Sequence, residues 1–315
     1  MRFHRPSLQA LAAVLTLALA FGNAANAAVH SFARVEPQGH PGLIGPGSQF
    51  DGPSDTHSSI SAGIGFADAG AATLPGTIAG QAHVILSTGN PFASGSLTAF
   101  AQAFTQEKIT VTDLVCVELG CTSLTELGAT RVRMRTDIRA SGTTASFGGT
   151  AFDTALASVD FGWQLAGVIG GTLSGGGSKS TESSGNVQGS IASQTITYDA
   201  TPGSTLELSL SMSTFATASI AFFGSFGTSA SASALSDFSH TLQWMGVSSL
   251  QAFDANGVEL QLPQGARLVL AGASGMDFWN AAIPVTVAVP EPGSWALMVA
   301  GVAALGWRMR RQRAS

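Results

Sequence analysis

The 315-residue sequence predicts an all-β fold: an antiparallel β-sandwich or jelly-roll-like ectodomain, with a short apolar helix at each end of the chain. Three observations predict it. Apolar residues repeat with period two over much of the interior, as they do where side chains of a strand face a core and solvent in turn. These runs are short and end at Gly, Ser, Asn or Pro, so turns recur between them. No interior segment carries a long amphipathic repeat near 3.6 residues, which a surface helix requires.

The elements follow in chain order. Arg2, His4 and Arg5 precede an apolar run from Leu8 to Phe21, and Ala25-Asn26-Ala27 follows it. A basic start, an apolar centre and small residues at the end make a secretory signal peptide over residues 1–27, with Ala25 and Ala27 offered to signal peptidase. The run is shorter than the roughly 20 residues a spanning helix needs, so removal is expected rather than retention. Residues 28–58, with Pro37, Pro41, Pro46 and Pro53 among glycines and polar side chains, read as a loosely ordered lead-in.

Residues 59–288 then read as the sandwich. Val132, Met134, Thr136 and Ile138 alternate with Arg131, Arg133, Arg135, Asp137 and Arg139, and Leu206, Leu208, Leu210 and Met212 alternate with Glu207 and serines. Further strand-like runs lie at Ser59–Phe66, Ile78–Ser87, Gly95–Thr105, Leu156–Val168, Ile191–Asp199, Ala216–Phe226 and Ser239–Met245. The stretch from Gly170 to Gly185, which contains Gly175-Gly176-Gly177, reads as a mobile loop. Phe253 to Leu260 reads as a hairpin, because Asn256-Gly257 supplies the positive φ angles of a tight turn. A calcium loop would need six to eight oxygen ligands, which this stretch does not supply.

Cys116 and Cys121 belong to a chain that leaves the cytoplasm, so a small local disulfide is expected. Two cysteines without nearby histidines do not make a four-ligand zinc site, and no other metal or cofactor motif is present. The row Arg131, Arg133, Arg135 falls on one strand face. Guanidinium pairs can grip carboxylate or sulfate oxygens, so the row is a possible contact for an anionic glycan. The plainer reading is a solvated strand face whose charges pair with carboxylates across the sheet.

Charge bounds the partners. Between Ala28 and Pro290 eight bases stand against 18 carboxylates, a net charge of −10, which excludes a nucleic-acid partner. The opposite balance marks the C-terminus. Pro290-Glu291-Pro292 is followed by the uncharged run Ser294–Trp307 and then by Arg308, Arg310, Arg311 and Arg313. The prolines hold the tripeptide extended and open to an enzyme. The apolar run spans roughly 21 Å as a helix, thin for a hydrocarbon core of about 30 Å. Trp295 and Trp307 suit the interfaces, and the arginines hold the tail on the cytoplasmic side.

This order of motif, short helix and basic tail over residues 289–315 resembles the PEP-CTERM sorting signal. The resemblance implies an exported protein of a Gram-negative bacterium, anchored at first in the inner membrane. Exosortase, a membrane protease-transpeptidase, then cuts near the motif and delivers the protein to the outer surface or extracellular matrix. By that resemblance Pro290, Glu291 and Pro292 are recognition residues for another enzyme. Asp237–Leu242 and Ala273–Trp279 also resemble, more loosely, the final strands of proteins carrying this signal.

Local catalytic motifs are absent. No Gly-x-Ser-x-Gly elbow or His-Glu-x-x-His pair occurs, and Ser178 breaks the superficial likeness of Gly175–Ser180 to a phosphate loop. Of the histidines, only His83 and His240 fall on expected strands. The expectation is therefore a non-enzymatic surface or matrix protein associated with biofilm or extracellular polysaccharide. The alternatives are a carbohydrate-binding module with exposed tryptophans, an exported polysaccharide hydrolase, and an ice-binding protein, the last lacking a regular threonine repeat.

Overall fold

A computed structural model describes residues 29–38, 48–51, 55–62, 65–88, 95–117, 120–149, 153–220 and 230–283. In chain order the strands are β1 Val29–Gln38, β2 Ser48–Asp51, β3 Asp55–Ala62, β4 Gly65–Leu74, β5 Thr77–Thr88, β6 Gly95–Val117, β7 Gly120–Ser123, β8 Arg131–Ala140 and β9 Thr143–Gly148. They continue with β10 Thr154–Val168, β11 Gly171–Glu182, β12 Val187–Gly189, β13 Gln194–Ala200, β14 Thr205–Ile220, β15 Ala230–Phe253, β16 Glu259–Leu260 and β17 Arg267–Gly272. Among the described residues no helix is long and apolar enough to cross a membrane. The expected signal helix at 1–27 and membrane helix within 289–315 both lie outside the described residues.

All strand pairs are antiparallel and form two sheets. The first runs β12-β11-β10-β14-β6-β1-β2, with β17 and β7 also on β6; the second runs β13-β8-β15-β5-β4-β3, with β16 and β9 also on β15. The sheets face each other through β6 and β14 on one side and β4, β5 and β15 on the other. The sandwich half of the expected fold is therefore present, and its strands are longer than the local patterns suggested.

The period-two pattern explains which faces meet. On β6, Ala99, Ala101, Ala103, Ile109 and Val111 are buried, as are Leu206, Leu208, Leu210 and Met212 on β14. Small residues dominate one part of the interior: Ala157, Ala216 and Ala99 sit side by side on β10, β14 and β6. Ala69 and Ala82 pair on the facing sheet. Each alanine removes little apolar area from water, so close approach of the sheets has to compensate through packing contacts. Larger side chains fill the other part. Trp244 is fully buried, donates its indole N–H to the Phe278 carbonyl at 2.7 Å, and meets the Phe278 ring edge-on at 6.1 Å.

Several elements depart from the sequence expectation. Residues 29–38, 48–51 and 55–62 are strands, although the composition of 28–58 suggests a loose lead-in. The run Ser59–Phe66 straddles the β3–β4 hairpin, and 206–213 with 216–220 belong to one strand, β14. Most informative is β11, which occupies the glycine-rich stretch expected to be a loop. Its register sets Gly175 opposite Trp163 and Gly177 opposite Phe161. A Cβ on Gly175 would lie 2.6 Å from the Trp163 ring, and one on Gly177 would lie 2.9 Å from the Phe161 ring. The aromatic rings of β10 occupy the space that side chains of β11 would take, so glycine is what lets this strand pair.

Candidate functional site

The arginine row lies on β8, between β13 and β15. Arg133 donates from Nε to Asp199 Oδ1 at 2.8 Å and from Nη2 to Oδ2 at 3.0 Å, and Arg131 Nη1 stands 3.4 Å from the same carboxylate. Both guanidinium groups also cover the Phe253 ring, at 4.5 and 5.3 Å from its centre. The hydrogen bond from Arg133 holds the Asp199 carboxyl below its ordinary range, and the same bond raises Arg133. Farther along the face, Asp137 accepts the Thr195 hydroxyl at 2.5 Å. Arg135 is exposed and stands opposite Thr197 and Ser249. Two members of the row are thus tied to one carboxylate and one aromatic ring.

The cysteines expected to bridge do so: Cys116 and Cys121 are disulfide-bonded across the β6–β7 hairpin, where they are register partners. Beside them Asp113 accepts the Ser123 hydroxyl and the Thr125 N–H and hydroxyl, and these bonds hold its carboxyl low. The Phe253–Leu260 hairpin also forms. Asp254 Oδ1 accepts the N–H groups of Asn256 at 2.9 Å and Val258 at 2.8 Å, and Gly257 takes a φ of 80°. The Asp254 carboxylate is thus spent on backbone donors of the turn.

Histidines and buried carboxylates form small separate groups. His57 Nε2 lies 2.5 Å from Asp68 Oδ1, and Asp68 is the register partner of His83. Burial lowers the His83 pKa, and the Asp68 charge opposes that shift. Glu107 points into the interior from β6, 1% exposed, where Oε1 accepts the Ser274 N–H at 2.7 Å and Oε2 has no hydrogen-bond partner among the described residues. Sequence reasoning passed over Glu107, yet its odd position in the series Ala101, Ala103, Thr105, Ile109 already marks it as inward-facing. Among the described residues no three His, Cys, Asp or Glu side chains are grouped to hold a metal ion.

Two open grooves stand out among the described residues. One, of about 510 Å³, runs between β11 and β13 beside Trp163, Gln194 and Thr197. Trp163 is only 6% exposed and donates its indole N–H to Gln194 Oε1 at 2.7 Å, so it serves the core more than the groove. The other, of about 340 Å³, lies between residues 248–251 of β15, β16 and the following loop, with Trp279 at its side. Trp279 is half-buried, whereas Trp163 and Trp244 are core residues. Of these three tryptophans, which a carbohydrate-binding module could have used as exposed contacts, Trp163 and Trp279 border grooves and Trp244 is fully buried.

Residues 288–311 match the sequence model of the PEP-CTERM protein-sorting motif. The matched span includes Pro290, Glu291 and Pro292 and the arginines 308, 310 and 311, and Arg313 falls just beyond it. No curated protein matches the chain. The motif indicates an exported protein sorted at the membrane through exosortase.

Proposed function

We propose that this exosortase substrate is a non-enzymatic protein of the cell surface or extracellular matrix, whose β-sandwich resides among extracellular polysaccharide after its two signals are removed. The observation that carries the proposal is the sorting motif at 288–311, directly following the sandwich. Seven residue steps separate Ile283 from Pro290, and a fully extended chain of that length spans at most about 25 Å. Cleavage near the motif therefore takes place close to the end of the sandwich that carries Trp279 and Ile283. Signal peptidase acts at the other terminus, after Ala27.

The grooves support a non-catalytic reading. A glycoside hydrolase places two carboxyl groups about 5 to 9.5 Å apart around the scissile bond. The groove beside Trp279 is lined by one carboxylate, Glu259, and the groove beside Trp163 by none. Arg131 and Arg133, already engaged by Asp199, favour the plainer reading of the arginine row over an anionic-glycan site.

The test is the intact mass of the protein from its native host, in membrane and extracellular fractions, with and without the cognate exosortase. The expected result is a mature form starting near Ala28 and ending near Pro290, with the second end dependent on exosortase. An intact arginine tail in the membrane fraction of both strains would overturn the reading in favour of an ordinary anchored ectodomain.

A further inference from the structure

We infer that residues 284–289 dock as a strap across the outer face of β4 and β5, and that this strap covers the face in the exported protein. The inference goes beyond the sorting reading and stands apart from it, because 284–289 precede the Pro-Glu-Pro tripeptide.

Alternation assigns the face. Ala67, Ala69 and Ala71 of β4 and Ile78, Ala82 and Val84 of β5 belong to the core. Asp68, Gly70 and Ala72, with Thr77, Ala79 and Gln81, therefore look to the other side of the sheet. The outer face of an antiparallel sandwich sheet is ordinarily solvated. Here Ala72, Thr77 and Ala79 are 0% exposed, Asp68 2% and Gln81 6%. Ala72 and Ala79 are register partners and form a small buried pair separate from the core. The described strands packed on β4 and β5 are β3 and β15 beside them and β1, β6 and β14 of the facing sheet, none of them on this side. Larger residues stand at the flanking register positions, His57 on β3 and Asp237 on β15, so the small ones between them floor a shallow trough.

The chain is delivered to this trough. The Trp279 carbonyl accepts the Val247 N–H at 3.0 Å and the Ala282 N–H donates to the Trp244 carbonyl at 2.9 Å, so 279–282 run beside β15 toward Gln243. The ladder place beside Gln243 is already taken by Thr77, and the chain has to leave the plane of the sheet there. Leu242 and Trp244 face the core, so Gln243 between them faces outward. Its Nε2 donates to the Ala282 carbonyl, which puts the exit on the outer side.

The sequence that follows suits the trough. Pro284 has no N–H to lose on leaving a ladder. Val285, Val287 and Val289 alternate with Thr286 and Ala288, which gives an extended segment one branched apolar side to set on the alanine floor. Six extended residues cover about 20 Å, more than the roughly 13 Å from Thr77 to Gln81. Segments 89–94 and 221–229 adjoin the Ala230–Thr88 pair instead, at the far end of β5.

The experiment measures how fast a maleimide labels single introduced cysteines in the protein purified from its host after loss of the signal peptide, with the native disulfide intact. Ala72→Cys and Ala79→Cys are expected to react at least about tenfold more slowly than Ser87→Cys, an exposed position farther along the same face of β5. Adding Val285→Asp with Val287→Asp is expected to raise both rates close to that of Ser87→Cys, whereas Thr286→Asp, on the opposite side of the strap, leaves them slow. Circular dichroism checks that each variant keeps its sheets. Should the double aspartate variant fail to fold, Val287→Thr, which keeps the shape and adds a hydroxyl, is expected to raise the rates severalfold. Fast labelling of both cysteines in the otherwise unaltered chain overturns the inference, as does slow labelling that no valine change relieves. So does release by Thr286→Asp as large as that by the valine changes. The rates are read on exosortase-processed and unprocessed chains alike, so they are independent of the terminal masses that test the sorting reading.

Discussion

Replacing Gly175 by alanine distinguishes a strand from a loop by the sign of its effect. In a mobile glycine-rich loop the change would stabilise the protein by about 0.4–1 kcal/mol, because alanine restricts the unfolded chain. In β11 the new methyl would stand 2.6 Å from Trp163 Cζ2 and closer still to Gln194 Oε1, the acceptor of the Trp163 indole N–H. Both neighbours are side chains, so relief requires the indole to tilt or Gln194 to release it. Overpacking of this kind costs about 1–3 kcal/mol, and losing the hydrogen bond adds about 0.5–1.5 kcal/mol. After the unfolded-state gain is subtracted, the net loss is about 0.5–4 kcal/mol. Urea denaturation of the mature protein followed by tryptophan fluorescence measures it, and a shift in Trp163 emission should accompany it. Gly176→Ala should lose more, since its methyl would press on the Phe161 carbonyl oxygen, a backbone atom that cannot rotate away. Gly185→Ala is the control, having open space around its Cβ position but a φ of 82° that alanine adopts with strain. A Gly175→Ala protein as stable as the parent, or more so, would refute the packing of β11 on Trp163.

Three further outcomes are expected. Trp244→Phe, which leaves the buried Phe278 carbonyl without its 2.7 Å donor, should lower stability by about 1–3 kcal/mol in the same assay, while Trp279→Phe should change it far less. Asp199 and Asp254 have folded pKa values below the ordinary carboxylate range, so their contribution is present above about pH 4 and is lost as pH falls through the folded values. The stability gap between the parent and Asp199→Asn or Asp254→Ala should therefore narrow on acidification below that point. Burial lowers the His83 pKa, so the unfolded chain takes up the proton first as pH falls through about 6.5. The parent should then lose stability relative to His83→Gln between pH 7 and 5, as measured by the urea midpoint at each pH.

By itself the sequence determined the all-β fold class and the C-terminal sorting motif. Both are local signals. The alternations at 131–139 and 206–213 place their side chains on opposite faces wherever the strand sits, and they became β8 and part of β14. The Phe253–Leu260 hairpin was legible for the same reason, since Asn256-Gly257 is a contiguous turn signal, and Gly257 takes the positive φ of 80°. The sorting motif is a contiguous run, which is why it could be read and matched without any knowledge of the sandwich.

The tertiary structure decided what depends on distant partners. Ladder hydrogen bonds join backbones whatever the side chains are, so a run of glycine and serine can be strand when its neighbour has rings to cover it, as Trp163 and Phe161 cover β11. Arg133 meets Asp199 across 66 residues of chain, and this pairing, invisible in a strand pattern, decides whether the arginines are free to meet a ligand. Trp163, Trp244 and Trp279 look alike in sequence. Only the packing of two sheets buries the first two and sets the third beside Gln251 and Glu259, because burial is a property of the whole assembly and not of any segment.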